Sequence, residues 1–231
     1  MKVALLLYGQ PRGVDKEDVW RSHKKFIMDK YDTDVYCHMW YDATCKIFDM
    51  SSHATNTNSS VVPQSDSIIL ERYKPIQHLF EPPRVFDASP YIQAFNEGGY
   101  TCSANFPNYI SQLYSVEQVA TLCKRSDIKY DMIIVARYDI VIDSFPDLDE
   151  LNPKFFYCMN NHPRFPDLFF IFSNMYLDSQ FVYSGLKGRI KKYGLSGNIW
   201  EPSVECMKFL KYTDLYSLKN LRGVEILEHR V

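Results

Sequence analysis

Apolar residues in this chain fall into short continuous runs, separated by stretches with helical spacing and by polar turns. Val3–Tyr8 (VALLLY) is the first run and ends on the turn Gly9-Gln10-Pro11-Arg12-Gly13. Val19, Phe26 and Ile27, with Trp20 beside them, mark a helix over 15–30 that Asp15 is placed to cap. Asp34–Trp40 is a second strand. A strand–turn–helix–strand unit of this length is a crossover, the start of a parallel sheet. From 42 to 66 Ser, Thr, Asn and His dominate, most clearly in SSHATNTNSS, and a long polar loop is expected. Pro75–Glu81 reads as a third strand stopped by Pro82-Pro83. The stretch 91–106 fits neither period. A helix is predicted over 107–124, with Ile110, Leu113, Tyr114, Val116, Val119, Ala120 and Cys123 on one broad face.

The segment 130–151, YDMIIVARYDIVIDSFPDLDEL, carries the most information. It opens on a strand run, Met132–Ala136, presents Arg137-Tyr138-Asp139, continues through Ile140-Val141-Ile142 and closes on Asp147-Leu148-Asp149-Glu150. A continuous apolar run ended by charge reads as a strand inside a covered parallel sheet. Ligands of open α/β sheets gather at the carboxyl ends of such strands. A buried carboxylate there is costly unless something binds it, which singles out Asp139. Beyond it come a short strand at 154–159, a loop at 160–166, a strand at 168–173 and a helix at 174–190. The basic run 187–192 reads as a solvated helix end. A last helix at 201–210 and a tail at 212–231, with a strand at 225–228, complete the chain. There are no internal repeats and no linker, so 1–231 reads as a single α/β domain with a mostly parallel sheet flanked by helices.

Composition narrows the partners. At 231 residues, with 46% hydrophobic residues and a formal net charge of −2, the chain can build a full core and does not call for nucleic acid. Aromatics reach 15%, with 17 Tyr and 15 Phe, a supply of flat apolar faces that suits both core packing and stacking on sugar rings. The six cysteines are scattered, with no C-x-x-C pair, which suggests reduced core thiols rather than a zinc site or a disulfide scaffold. No signal-peptide pattern and no run long enough to span a bilayer is present. A soluble protein of a reducing compartment, the cytoplasm, is the expectation.

The order of LLLYGQPR, DVYCHMWYD, YKPIQHLFE, QLYSVEQVATL, YDMIIVARYDIVI and DLFFIFSNMYLDSQF resembles small glycosyltransferases of bacterial capsule and lipopolysaccharide clusters and of large DNA viruses. The resemblance covers most of 1–210 and implies a GT-A-like, Rossmann-type fold. In that family pattern Asp-x-Asp ends a central strand. Here Arg137-Tyr138-Asp139 takes its place, keeping the second acid and replacing the first with arginine. For a virally encoded member the compartment would be the host cytoplasm.

Several roles follow from that resemblance. The donor would be a nucleoside-diphosphate sugar, UDP first, and the acceptor a glycan hydroxyl. Gly9, Gln10, Pro11 and Arg12 would hold base and diphosphate, with Gly9 allowing close backbone approach and Arg12 offering a fork to phosphate; a plain strand-to-helix turn is the alternative. Gln112, Tyr114 and Ser115 would line the donor pocket, or simply pack their helix. His38, Trp40 and Asp42 share one strand face and would touch nucleotide or sugar, although a histidine among apolar residues is commonly structural. Arg137, Tyr138 and Asp139 would meet the diphosphate. Asp139 would ligate manganese or magnesium, a hard ion suited to oxygen, with His229 or His162 as further ligands. Arg137 points to the same side of the strand as Asp139 and offers another outcome, an ion pair without metal. Asp167 is the first choice for general base, then Glu205, then Glu201. Two other functions fit parts of the pattern: a sugar nucleotidyltransferase, which would want a richer glycine loop after the first strand, and a catalytically silent nucleotide- or glycan-binding module.

Overall fold

β1 (Lys2–Gly9) occupies the interior of a six-stranded sheet, and every residue from Val3 to Tyr8 is buried. Both faces of the strand are covered, which is why its sequence is apolar without alternation. In this computed structural model the described residues are 1–44, 47–48, 51–52, 55–56, 59–60, 62–102, 106–154, 157–158, 169–177 and 186–193.

The chain leaves β1 through α1 (Glu17–His23), which continues as one π-helical turn over Lys24–Met28, and returns as β2 (Asp32–Trp40). α2 (Ser65–Tyr73) then leads to β3 (Gln77–Glu81). α3 (Ser89–Glu97) and α4 (Phe106–Arg125) carry the chain back across the sheet to β4 (Met132–Arg137), on the other side of β1. β5 (Tyr157–Cys158) and β6 (Phe169–Phe172) complete a sheet of order β3-β2-β1-β4-β6-β5. The β3–β2, β2–β1 and β1–β4 ladders are parallel, and β6 runs antiparallel to both β4 and β5. This is the α/β, mostly parallel arrangement expected.

Helices cover both faces. α1 and α2 meet on one, where His23 Nδ1 lies 3.0 Å from Tyr73 Oη and the Trp20 and Tyr73 rings meet edge to face at 4.9 Å. α4 covers the other, burying Ile110, Leu113, Val116, Val119, Ala120 and Cys123. Successive strands step outward from β1 to β3, and the chain then crosses back to β4. The connection therefore reverses direction between β1 and β4, and the chain leaving β4 packs against α1, where Ile142 N donates to Ser22 Oγ at 3.0 Å. α5 (Leu186–Tyr193) lies against α3, with Lys191 Nζ 2.9 Å from Glu97 Oε2.

Some elements differ from expectation. α1 starts at Glu17 after Lys16, and Asp15 does not cap it; Asp15 lies 3.7 Å from the Lys16 ammonium instead. The polar stretch 42–66 includes two short antiparallel ladders, Ile47–Phe48 with Ser59–Ser60 and Ser51–Ser52 with Thr55–Asn56. Strand pairing uses backbone groups, which Ser and Thr side chains do not oppose. Its end belongs to α2, whose buried stripe Ser65, Ile69, Tyr73 carries only two apolar residues. α3 takes up 91–97 of the stretch that fits neither period, and α4 begins at its last residue, Phe106. The helix expected over 174–190 is, among the described residues, a 3-10 turn at Asn174–Tyr176 and then α5. Asp167, Glu201, Glu205, His162 and His229, the 201–210 helix and the 212–231 tail lie outside the described residues.

Cys37 and Cys123 are free thiols. Cys37 and Cys123 are buried, and burial pushes both up to about 12, so they pack as inert core groups. No helix among the described residues is long and apolar enough to cross a membrane.

Candidate functional site

The carboxyl ends of β1 and β4 lie side by side at the point where the connection reverses, the position at which open α/β sheets hold ligands in a crevice. β1 ends on Gly9, whose φ of +102° is reached at low cost by glycine. Arg12 N donates to Gln10 O at 2.8 Å, which closes a three-residue turn around the buried Pro11. Gly13 follows at φ +69°. A Cβ there would sit 3.5 Å from the Asp139 Cα, so the turn lies directly against the end of β4.

Arg137 is the register partner of Tyr8 and leaves the sheet on the α4 face, where Gln112 Nε2 approaches Tyr8 Oη at 3.3 Å. The Arg137 guanidinium forks onto Asp139. Its Nε donates to Oδ1 at 2.9 Å and its Nη2 donates to Oδ2. Arg12 Nε approaches the same Oδ2 at 3.9 Å. The Asp139 side chain is only 7% exposed, whereas Arg137 and Arg12 keep 20% and 34%. Two guanidiniums from two strand ends thus converge on one buried carboxylate while reaching toward solvent, and both arginines make further interactions besides. Gln10 Oε1 is buried and has no hydrogen-bond partner among the described residues. An acceptor left this way costs about 1–3 kcal/mol, which a bound donor group would recover.

The divalent ion implied by the family resemblance fits these residues poorly. Each Asp139 oxygen already accepts from Arg137. A cation on Asp139 would lie among guanidiniums, and like charges 4 Å apart at an effective dielectric near 20 repel by about 4 kcal/mol per unit charge. Among the described residues no group of three His, Cys, Asp or Glu is placed to hold a metal.

The other candidates separate into two sets. Gln112 lies near the crevice through Tyr8, whereas Tyr138 does not face it. Tyr138 is wholly buried on the opposite face from Arg137, and its hydroxyl donates to His38 O at 3.1 Å. His38 is also wholly buried. Its Nδ1 lies 2.6 Å from Ser115 Oγ and its Nε2 2.9 Å from Glu81 Oε1. Glu81 Oε2 in turn accepts from Arg84. Trp40 is 3% exposed and stacks on Tyr114 at 5.5 Å, with Phe86 against both. His38, Trp40, Ser115 and Tyr138 are therefore interior residues behind the crevice, and Tyr114 is half-buried beside them. Asp42, half-buried at the end of this strand, accepts from Thr44 N at 2.8 Å.

Burial lowers the His38 pKa, although Glu81 opposes the shift. For Glu81 burial would raise the pKa, but His38 and Arg84 outweigh it and the net shift is downward. The chain Ser115–His38–Glu81–Arg84 thus pairs neutral imidazole with carboxylate and ties α4, β2, β3 and the loop after β3 together. Satisfied networks of this kind fix geometry, because an unpaired member would be costly.

Sequence reasoning missed Glu81 and Arg72. Glu81 ends the predicted third strand, but its pairing with His38 spans 43 residues and leaves no local signal. Arg72 donates to Val14 O at 3.0 Å and to Lys16 O at 3.3 Å, and so pins the chain just after the crevice turn.

No family model and no curated protein matches the chain. Among solved structures it is similar to the apo crystal structure of mouse xyloside xylosyltransferase 1, with 9% identity over 93% of this chain and 82% of that one, at a TM-score of 0.34.

Proposed function

We propose that the protein is a glycosyltransferase that binds a nucleoside-diphosphate sugar, UDP first, in the crevice between β1 and β4, and transfers the sugar to a glycan hydroxyl. The observation that carries this reading is the convergence of Arg12 and Arg137 on Asp139 at the carboxyl ends of two adjacent parallel strands. Guanidinium forks match phosphate oxygens geometrically as well as electrically. The buried Gln10 carbonyl, which lacks a hydrogen-bond partner among the described residues, would accept from a base N–H.

In the transfer, the bond from the anomeric carbon to the diphosphate oxygen breaks and its electron pair stays with the diphosphate. The acceptor oxygen forms the new bond and gives its proton to a base, for which Asp167, Glu205 and Glu201 are the candidates. Arg12 and Arg137 would stabilise the charge that develops on the leaving diphosphate, the kind of electrostatic contribution that dominates many enzyme sites.

A thermal-shift screen of UDP-, GDP-, CMP- and dTDP-sugars tests the proposal. A ligand that binds only the folded state at a hundred times its Kd adds about 2.7 kcal/mol. For a chain of this size that corresponds to a rise of roughly 5–10 °C. The UDP-sugars are expected to give the largest rise, followed by slow donor hydrolysis. Binding without hydrolysis, whatever the acceptor, would favour the silent binding module; no shift with any nucleotide would remove the proposal.

A further inference from the structure

We infer that Arg12, Arg137 and Asp139 form a metal-independent diphosphate clamp, in which the guanidiniums take the phosphate oxygens and Asp139 is a positioning residue rather than a metal ligand. This rests on the nucleotide-sugar reading of the crevice and adds to it how the diphosphate is neutralised.

The geometry assigns the roles. Asp139 is the most deeply buried of the three, and both of its oxygens are engaged by the Arg137 fork. A carboxylate held this way does not present a hard-ion face to the crevice. The arginines are the more exposed partners, so a ligand entering from solvent meets guanidinium first. Arg137 is fixed at two points by Asp139, which sets the orientation of its guanidinium plane. Arg12 approaches the same carboxylate from the short turn after β1, closed by the Arg12 N to Gln10 O hydrogen bond and pinned downstream by Arg72. The two cations are therefore spaced by a shared anion, and a diphosphate, with oxygens on two adjacent phosphorus atoms, can meet both at once. Gly13 lies beside Asp139, where an added Cβ would come 3.5 Å from the Asp139 Cα, so the turn that carries Arg12 is held close to the carboxylate.

The test measures binding to the full chain by titration calorimetry, with UDP and with inorganic pyrophosphate, in EDTA, in magnesium and in manganese. The clamp predicts that both probes bind in EDTA and that either metal changes Kd by less than about threefold. Arg12→Ala, at the more exposed arginine, should weaken both probes at least tenfold. Asp139→Asn should weaken both several-fold and equally with and without metal, because it frees Arg137 without removing a ligand. Arg137→Lys should fail to rescue what Arg137→Ala loses, since a point charge cannot replace the fork. Nucleotide binding that needs manganese, and that Asp139→Asn makes insensitive to manganese, would overturn the clamp and leave the donor reading standing. Pyrophosphate binding without UDP binding would support the clamp and sink the donor reading. Failure of both probes under every condition would overturn both.

Discussion

Arg137→Ala is expected to give the largest single loss of function, at least about a hundredfold in donor turnover, the scale of removing one strong electrostatic contact from a site. It should also lower stability by about 2–3 kcal/mol. That is below the usual range for breaking a buried pair, because Arg137 keeps 20% exposure and solvent screens part of the interaction. The stability loss comes from orphaning Asp139, whose remaining partner Arg12 stands off at 3.9 Å. Arg137→Ala/Asp139→Ala should therefore melt later than Arg137→Ala alone while recovering no turnover. That non-additivity is the sign of a coupled pair. Chemical denaturation and donor hydrolysis on the three proteins check both halves. Variants that melt early yet turn over normally per folded molecule would make the pair a structural tie and Arg-Tyr-Asp unrelated to catalysis.

Acidification should destabilise the fold through His23. The ring is wholly buried beneath the crevice, and burial lowers its pKa to about 4, with the Ile140 backbone and the Asp139 charge opposing the shift. On acidification the unfolded chain binds this proton first, near 6.5, while the folded chain resists until about 4. The stabilisation is complete above the unfolded value, is lost as pH falls from 6.5 toward 4, and does not change further below that. Between pH 7 and pH 5 the loss is about 2 kcal/mol, roughly 4–8 °C in Tm for a chain of this length. His38, whose pKa is also lowered by burial, adds in the same direction. Glu81, with its lowered pKa, contributes only at more acidic pH, below its ordinary value of 4.5. His23→Gln keeps a polar group near Tyr73 Oη but cannot titrate, so its pH dependence should shrink to the His38 share. Melting curves at the two pH values check this; a wild-type Tm unchanged between them would mean that His23 is solvated or already charged.

Much of the frame was readable from residue order alone. β1, β2, β3 and β4 follow from apolar runs ended by turns or charge, and α4 from its broad apolar stripe. The placement of Gly9–Arg12 and of Arg137 and Asp139 at strand ends came with them. What stayed hidden depends on contacts between distant residues. His38 lies on a strand face that reads equally as ligand-facing or interior; the partners that decide it, Ser115 and Glu81, lie 77 and 43 residues away. Tyr138, between two site residues, lies just past the end of β4, and its full burial, with its hydroxyl on His38 O, separates it from them. Arg137 was open to two readings, ion-pair partner of Asp139 or direct neutraliser of the diphosphate, because spacing brings it beside Asp139 but does not show the fork. α2 escaped notice because one position in its buried stripe is serine.

A crystal structure of the chain with UDP is the decisive measurement. The diphosphate is expected between the Gly9–Arg12 turn and the end of β4, with phosphate oxygens within hydrogen-bond distance of the Arg12 and Arg137 guanidiniums. A nucleotide bound anywhere else on the molecule, with the Arg137–Asp139 fork untouched by phosphate, would contradict it.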